Sequence, residues 1–330
     1  MDCQKQERTV LGVDIGGTKV CLALVTEKGE LLHKVSYPGN YGNQEGFAGT
    51  LFGFIDSLLK ECSGQKPIGI GVGIKALVDI EQQKVYSSSI LNVLVHYDLC
   101  GELYKRYKIK AVIENDVNAA AMAETRFGAG RYINDFAYIN IGTGTAAGII
   151  VGGKLLRGKN NHAGELGTTI YERDCEDAPL FTLESVASGR GIEDEVRRLA
   201  HKYPQSALQK QLQSGENVSA ALHVFELYRK GDALAQAVMS NALRVMGLGI
   251  YNLEKITNSH LYIFGGGVVS DWFLDQLQKE IDYLCEKMGV IWNARFLISE
   301  LGVDDVGVLG AASILLDALE QNNTNHETHE

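Results

Sequence analysis

A mixed α/β protein made of two similar units is what this sequence predicts, and three observations predict it. The chain has 330 residues, which at roughly 150 residues per domain corresponds to about two domains. Short apolar runs alternate with helical patterns along most of its length. A glycine-cornered strand meander near the N-terminus returns at an offset of 126 residues, where Gly16 falls on Gly142 and Asp14 on Asn140, as an internal duplication would arrange them.

The elements follow in order. Val10 to Ile15 is an apolar run broken by Asp14; Gly16 to Lys19 turn the chain, and Val20 to Val25 reads as the returning strand. Thr26 to Glu30 is a second turn and Leu31 to Val35 a third strand. Phe47 to Cys62 places Phe47, Leu51, Phe54, Ile55, Leu58 and Leu59 on one helical face. Ile68 to Ile74, Gly-rich but alternating, and Ala111 to Ile113 read as buried strands with a helix, Leu99 to Tyr107, between them. Val117 to Arg126 is the next helix.

The second unit opens the same way: Phe136 to Ile141, a turn at Gly142 to Thr145, Ala146 to Val151, a turn at Gly152-Gly153, and a strand from Leu155. Helical patterns cover Leu183 to His201, Ser219 to Lys230 and Ala233 to Ile256, the last capped by Asp232. His260 to Phe264 is a strand, Gly265 to Gly267 a turn, and Val268 to Lys287 a helix; Arg295 to Ser299 is a strand and Val303 to Leu319 the last helix. The polar tail from Glu320 to Glu330 is expected to be disordered.

Composition narrows the function. The net charge of −10 and pI near 5.4 argue against an electrostatic grip on nucleic acid or an anionic membrane. No run approaches the ~20 apolar residues of a membrane span and the start lacks a signal-peptide core, so a cytoplasmic protein is expected. The six cysteines are scattered singly, as reduced core thiols would be.

The chemistry-bearing motifs sit at the turns. Gly142, Gly144 and Gly148 invite a dinucleotide-binding reading, but β-branched Ile149 to Val151 and then Gly152-Gly153 follow where that fingerprint needs a helix. No P-loop motif is present. DIGGTK (Asp14 to Lys19) and IGTGT (Ile141 to Thr145) are either plain tight hairpins or paired phosphate cradles, since bare backbone N–H groups and hydroxyls admit phosphate oxygens closely. Asp14, at the end of a buried strand, suits a hydrated Mg²⁺. Gly265, Gly266 and Gly267, between a strand and a helix, suit a nucleotide laid on bare backbone. Asn115-Asp116 ends a strand before a helix: one of the two caps that helix, or Asp116 faces the crevice and accepts a proton from an attacking hydroxyl. Glu165 and Glu184 are either surface carboxylates or site ligands, and His162 reads as structural.

Taken together, VDIGGTK, VIENDVNAAA, INIGTGTAAGII, NHAGELG, LESVASGRG and IFGGGVV, in this order from Val10 to about Leu319, resemble the ROK family (repressor, open reading frame, kinase) of sugar kinases and sugar-responsive regulators. The resemblance implies an α/β, actin-like ATPase (ribonuclease H-like) fold with two similar domains flanking a central cleft. It implies an N-terminal domain of residues 1–117 completed by a helix at about 303–319, and a C-terminal domain of 118–302. By the same resemblance Asp116 is the catalytic base; Asn92, Asn115, Glu165, Thr168 and Glu184 face the sugar; and Asp14, Gly16, Gly17, Thr18, Lys19, Gly142, Thr143, Gly144, Gly265, Gly266 and Gly267 hold ATP, with Mg²⁺ at Asp14 through water. A homodimer is also implied.

The departures are specific. Many members hold a structural zinc through a His after GExG and three Cys before LESVASG. Here those positions are Thr168, Cys175, Asp177 and Thr182, and one ligand of four cannot close a zinc site, so no zinc is expected. Lys75-Ala76 stands where the family pattern has Pro-Gly. The expected function is ATP-dependent phosphorylation of a hexose or N-acetylhexosamine hydroxyl. The alternatives are a non-catalytic sugar sensor or a regulator; only 13 residues precede Asp14, too few for a helix-turn-helix.

Overall fold

In the computed structural model, which describes residues 7–39, 43–62, 65–88, 95–173, 180–214 and 221–327, the first unit opens with an antiparallel meander of β1 (Thr9–Ile15), β2 (Lys19–Thr26) and β3 (Leu31–Pro38). After α1 (Gln44–Glu61), β4 (Gly69–Ile74) joins β1 in parallel. A ribbon of β5 (Leu77–Asp79) and β6 (Lys84–Ser87) and the helix α2 (Leu99–Tyr107) come next. Then β7 (Lys110–Asn115) pairs in parallel with β4 and runs straight into α3 (Asp116–Arg126). The order is β3-β2-β1-β4-β7.

The second unit repeats this plan with β8 (Phe136–Ile141), β9 (Thr145–Val151) and β10 (Lys154–Leu155). A ribbon of β11 (Ile170–Arg173) and β12 (Leu180–Thr182) leads to α4 (Glu184–Ala187), α5 (Gly189–Leu199), α6 (Ala207–Gln213), α7 (Ala221–Arg229) and α8 (Ala233–Thr257). Next come β13 (Leu261–Gly265), parallel to β8; α9 (Asp271–Met288); β14 (Arg295–Ile298), parallel to β13; and α10 (Val306–Glu327). The order β10-β9-β8-β13-β14 matches the first sheet strand for strand, so the repeat read in sequence is a repeat of topology.

Five layers result. Alternation along β1 and β4 sends Leu11, Val13, Ile15, Ile70, Val72 and Ile74 outward against Phe47, Leu51 and Ile55 of α1 and Leu99 and Leu103 of α2. The outer face of the second sheet packs Ile139, Ile141, Tyr262 and Phe264 against α5, α8 and α9. Each such side chain contributes about 1.5–3 kcal/mol on burial. Between the sheets lie α3 and α10, sharing one apolar cluster with inner-face residues of both. The contact with the first sheet is close because β4 alternates glycine inward: a Cβ on Gly71 would lie 1.7 Å from the Ala311 carbonyl oxygen, and one on Gly12 2.3 Å from that of Val308. The helix α8 is long and apolar enough to cross a membrane, but 61% of its most apolar window is buried against its neighbours.

Several expectations are corrected. The helix read from Leu183 to His201 is two helices, because Ser188 is extended and its side chain caps α5 by accepting from the Gly191 N–H at 3.0 Å. The helix after the triple glycine begins only at Asp271, where Ser270 caps it, so Gly265 to Gly267 do not open it directly. The last helix continues to Glu327, so the described part of the tail is helical instead of disordered. Both ribbons and α6 are too short to leave a periodic signal.

Candidate active site

The carboxyl ends of the parallel strands β4, β7 and β8 open on a cleft of about 990 Å³ lined by both units. Lys75, Ala76, Ser88, Asn115 and Asp116 come from the first, and Asn140, Thr143, Gly144, Glu165, Thr168 and Glu184 from the second. Of the two residues, Asn115 carries the helix cap, and both line the cleft. Asn115 is the N-cap of α3, its side-chain oxygen accepting from the N–H groups of Val117 (2.9 Å) and Asn118 (3.2 Å). Asp116 stands at the cleft with one carboxylate oxygen accepting from the Val117 N–H at 3.0 Å.

Behind the pair stands Glu114, 1% exposed. Its carboxylate accepts from the Asn115 N–H (2.8 Å), Asn161 Nδ2 (2.7 Å), Asn118 Nδ2 (3.4 Å) and Arg157 Nε (2.8 Å). A buried charge satisfied this completely fixes the strand-to-helix junction and hence the direction of Asp116. Sequence reading passed over Glu114 and Arg157; the acidic residue before Asn-Asp was the available signal.

Burial holds the Asp116 carboxyl above the usual carboxylate range, opposed by the positive charge of Lys75 and the Val117 N–H. Asp14 lies close enough for the two to repel. Burial first and then the Asp116 charge push Asp14 up to about 7, with Lys19 acting the other way. The first turn of α10 is shaped around this group, since a Cβ on Gly307 would meet Asp14 Oδ2 at 2.3 Å. Two desolvated carboxylates, one raising the proton affinity of the other, are a site a divalent cation would relieve. Among the described residues no group of three or more His, Cys, Asp or Glu is gathered; the carboxylates available to an ion here are Asp14 and Asp116.

The glycine turns divide. Thr143 and Gly144 face the cleft, whereas Gly16 to Lys19, Gly142 and Gly265 to Gly267 do not line it. In the first turn the Gly16 N–H donates to the Lys19 carbonyl (3.0 Å), and Lys19 Nζ pairs with Asp304 at 2.7 Å. In the second, the Gly142 carbonyl accepts from the Gly189 N–H at the start of α5 (2.8 Å). Gly266, at φ +98°, packs on β8's end, where a Cβ would lie 2.4 Å from the Ile141 carbonyl oxygen; no other residue type fits there. The triple-glycine turn is thus held against the Gly142 turn.

Glu184 Oε2 accepts from the Thr145 N–H at 3.2 Å. Glu165 is pushed up by partial burial, with His162 opposing and Glu184 and Asp116 adding to the shift. The Thr168 hydroxyl donates to the Glu165 carbonyl at 2.9 Å, and Thr182 also reaches the wall. Asn92, Cys175 and Asp177 lie outside the described residues. Lys75, Arg190 and Asn140 line the cleft although sequence reading gave them no role; Asn140, as the repeat partner of Asp14, was the most legible of them.

The family model of the ROK family matches residues 10–318, and the chain belongs to the ROK family. It is 30% identical to a glucokinase of Thermotoga maritima over 94% of this chain and 98% of the relative. It is 31% identical to a glucokinase of Halalkalibacterium halodurans over 98% and 99%. Among solved structures, a ROK family glucokinase from Streptomyces griseus in complex with glucose and AMPPNP superposes with a TM-score of 0.77 at 29% identity, covering 93% of this chain and 98% of that one. The expected actin-like ATPase fold is therefore the fold of this chain.

Proposed function

We propose that this chain is an ATP-dependent sugar kinase that phosphorylates a hydroxyl of a hexose or N-acetylhexosamine, with Asp116 as its general base. The observation that carries the reading is the position of Asp116: a desolvated carboxylate at the first turn of α3, on the floor of a cleft whose opposite wall carries Thr143 and Gly144. The substrate hydroxyl oxygen forms the new bond to the γ-phosphorus as the bond from phosphorus to the bridging oxygen of ADP breaks, and the hydroxyl proton passes to the Asp116 carboxylate. Desolvation raises that carboxylate's proton affinity and so suits it to the task.

In this reading Asn92, Asn115, Glu165, Thr168 and Glu184 hold the sugar. Gly16 to Lys19, Gly142 to Gly144 and Gly265 to Gly267 hold the nucleotide. Mg²⁺ when bound neutralises phosphate oxygens, and Asp14 would hold it through water. Two lobes, 1–117 with 303–319 and 118–302, close to exclude water. A cytoplasmic homodimer without zinc, nucleic acid or membrane partners rests on composition and the family resemblance.

The test is ADP release from ATP and Mg²⁺ with glucose, fructose, mannose, N-acetylglucosamine and N-acetylmannosamine in turn. Sugar-dependent turnover that disappears in Asp116→Asn is the expected result. Sugar binding by calorimetry without turnover would replace the kinase with a sensor.

A further inference from the structure

The register of the first sheet places one more residue where the reaction would occur. The pairs Ile15 with Ile74 and Ile74 with Asn115 put Lys75, the next residue after β4, level with Gly16 on one side and Asp116 on the other. Its backbone is fixed at both ends: the N–H donates to the Ile15 carbonyl (3.1 Å) and its carbonyl accepts from Ser88 Oγ (2.8 Å). The side chain then crosses the cleft, bringing Nζ to 4.0 Å from where a Cβ on Gly144 would stand. The Lys75 backbone therefore adjoins the first glycine turn, while its ammonium reaches the second and its charge acts on Asp116.

Lys75 brings positive charge into a cleft whose other side chains are largely acidic. Asp116, Glu165, Glu184 and Asp194 line the same cleft, and its basic residues are Lys75, Arg190 on α5 and His162 beside Glu165. Glu184 Oε2 lies 2.9 Å from that same Gly144 position, but it is already engaged by the Thr145 N–H. Lys19 on β2 is held by Asp304, and Asp14 feels the charges of Asp116 and Lys19. Among the described residues Lys75 Nζ makes no ion pair within 4.0 Å, although Asp116 feels its charge.

We propose that Lys75 is a further catalytic residue, the cation that contacts the γ-phosphoryl oxygens in transit from the Gly142–Gly144 turn to the hydroxyl held at Asp116. A fixed positive charge at the point where phosphoryl charge is redistributed stabilises the transition state more than the ground state. The assignment rests on the kinase reading, and its test keeps the two apart.

Lys75→Met removes the charge at similar length, and Lys75→Arg retains it. Calorimetric titration with AMPPNP and with ADP reads contact at the γ-position without turnover. Lys75→Met is expected to weaken AMPPNP about tenfold while leaving ADP within twofold, to lower kcat about 100-fold, and to leave the sugar KM within threefold. Lys75→Arg is expected to restore AMPPNP affinity and at least a tenth of kcat. AMPPNP affinity unchanged in Lys75→Met, or equal losses for AMPPNP and ADP, would overturn the assignment. Should the unaltered chain turn over no sugar, the kinase reading fails and the AMPPNP-to-ADP ratio alone decides Lys75; binding of neither nucleotide overturns both.

Discussion

The two sheets share one strand order and present opposite surfaces to the helices between them. The inner face of the first carries Gly12, Asp14, Gly69, Gly71 and Gly73, with backbone of α10 pressed onto several of them. The inner face of the second carries Phe136, Tyr138, Leu261 and Ile263, large side chains that hold the helices off; only at Gly148 does α3 come as near, with a would-be Cβ 2.6 Å from that of Ala121. Duplication therefore preserved topology while chemistry diverged. At the repeated position the first unit has the ionisable Asp14 and the second has neutral Asn140 at the cleft wall. The small-residue sheet binds α10 as part of itself, and it is the sheet that carries the carboxylates.

The largest expected effect breaks the comparison at its chemical end. Asp116→Asn should lower kcat about 10³-fold with sugar affinity within threefold by calorimetry; unchanged kcat would remove Asp116 from proton transfer.

Asp14→Asn sharpens it through pH. An acid whose native value is about 7 against an ordinary 3.8 keeps its proton in the folded state where the unfolded chain releases it. The stability so contributed is full below about pH 4 and is lost as pH rises through 7, up to about 4 kcal/mol for a shift of this size. Thermal unfolding without nucleotide or metal should fall with pH across that window in the unaltered protein and more gently in Asp14→Asn. Equal slopes would mean that Asp14 is not the group responsible.

Gly71→Ala tests the close packing itself. With a Cβ overlapping the Ala311 carbonyl, it should destabilise by about 3 kcal/mol in a denaturant titration, whereas Ile263→Val in the second sheet should cost about 1 kcal/mol. Similar losses would contradict the distinction between the two faces. The smallest effect belongs to Asp304→Ala: the Lys19–Asp304 pair is largely exposed, so its loss should change stability by less than about 1 kcal/mol, and any larger rate effect would mark Lys19 as a phosphate contact held in reserve.

Much was legible because local physics wrote it. The meanders, the principal helices and the glycine turns follow from periodicity and from the backbone freedom of glycine, and the duplication was visible at an offset of 126 residues. The one long helix that proved to be two shows the limit: Ser188 flanked by Gly189 and Gly191 breaks it, and apolar spacing does not register a cap inside a run. Capping preference alone did not separate Asn115 from Asp116, because both suit a helix start; the tertiary structure gives the cap to Asn115, which accepts from the Val117 and Asn118 amides, and sets both residues at the cleft.

By itself, then, the sequence determined the fold class, the repeat and the family, since these depend on patterns between near neighbours and on motifs in fixed order. Only the tertiary structure decided which residues meet. The Asp14–Asp116 repulsion, the Glu114–Arg157 pair 43 positions apart and the reach of Lys75 to Gly144 are products of strand register and of two sheets closing around α3 and α10. Electrostatic energy depends on distance through space and on burial, and neither is written along the chain.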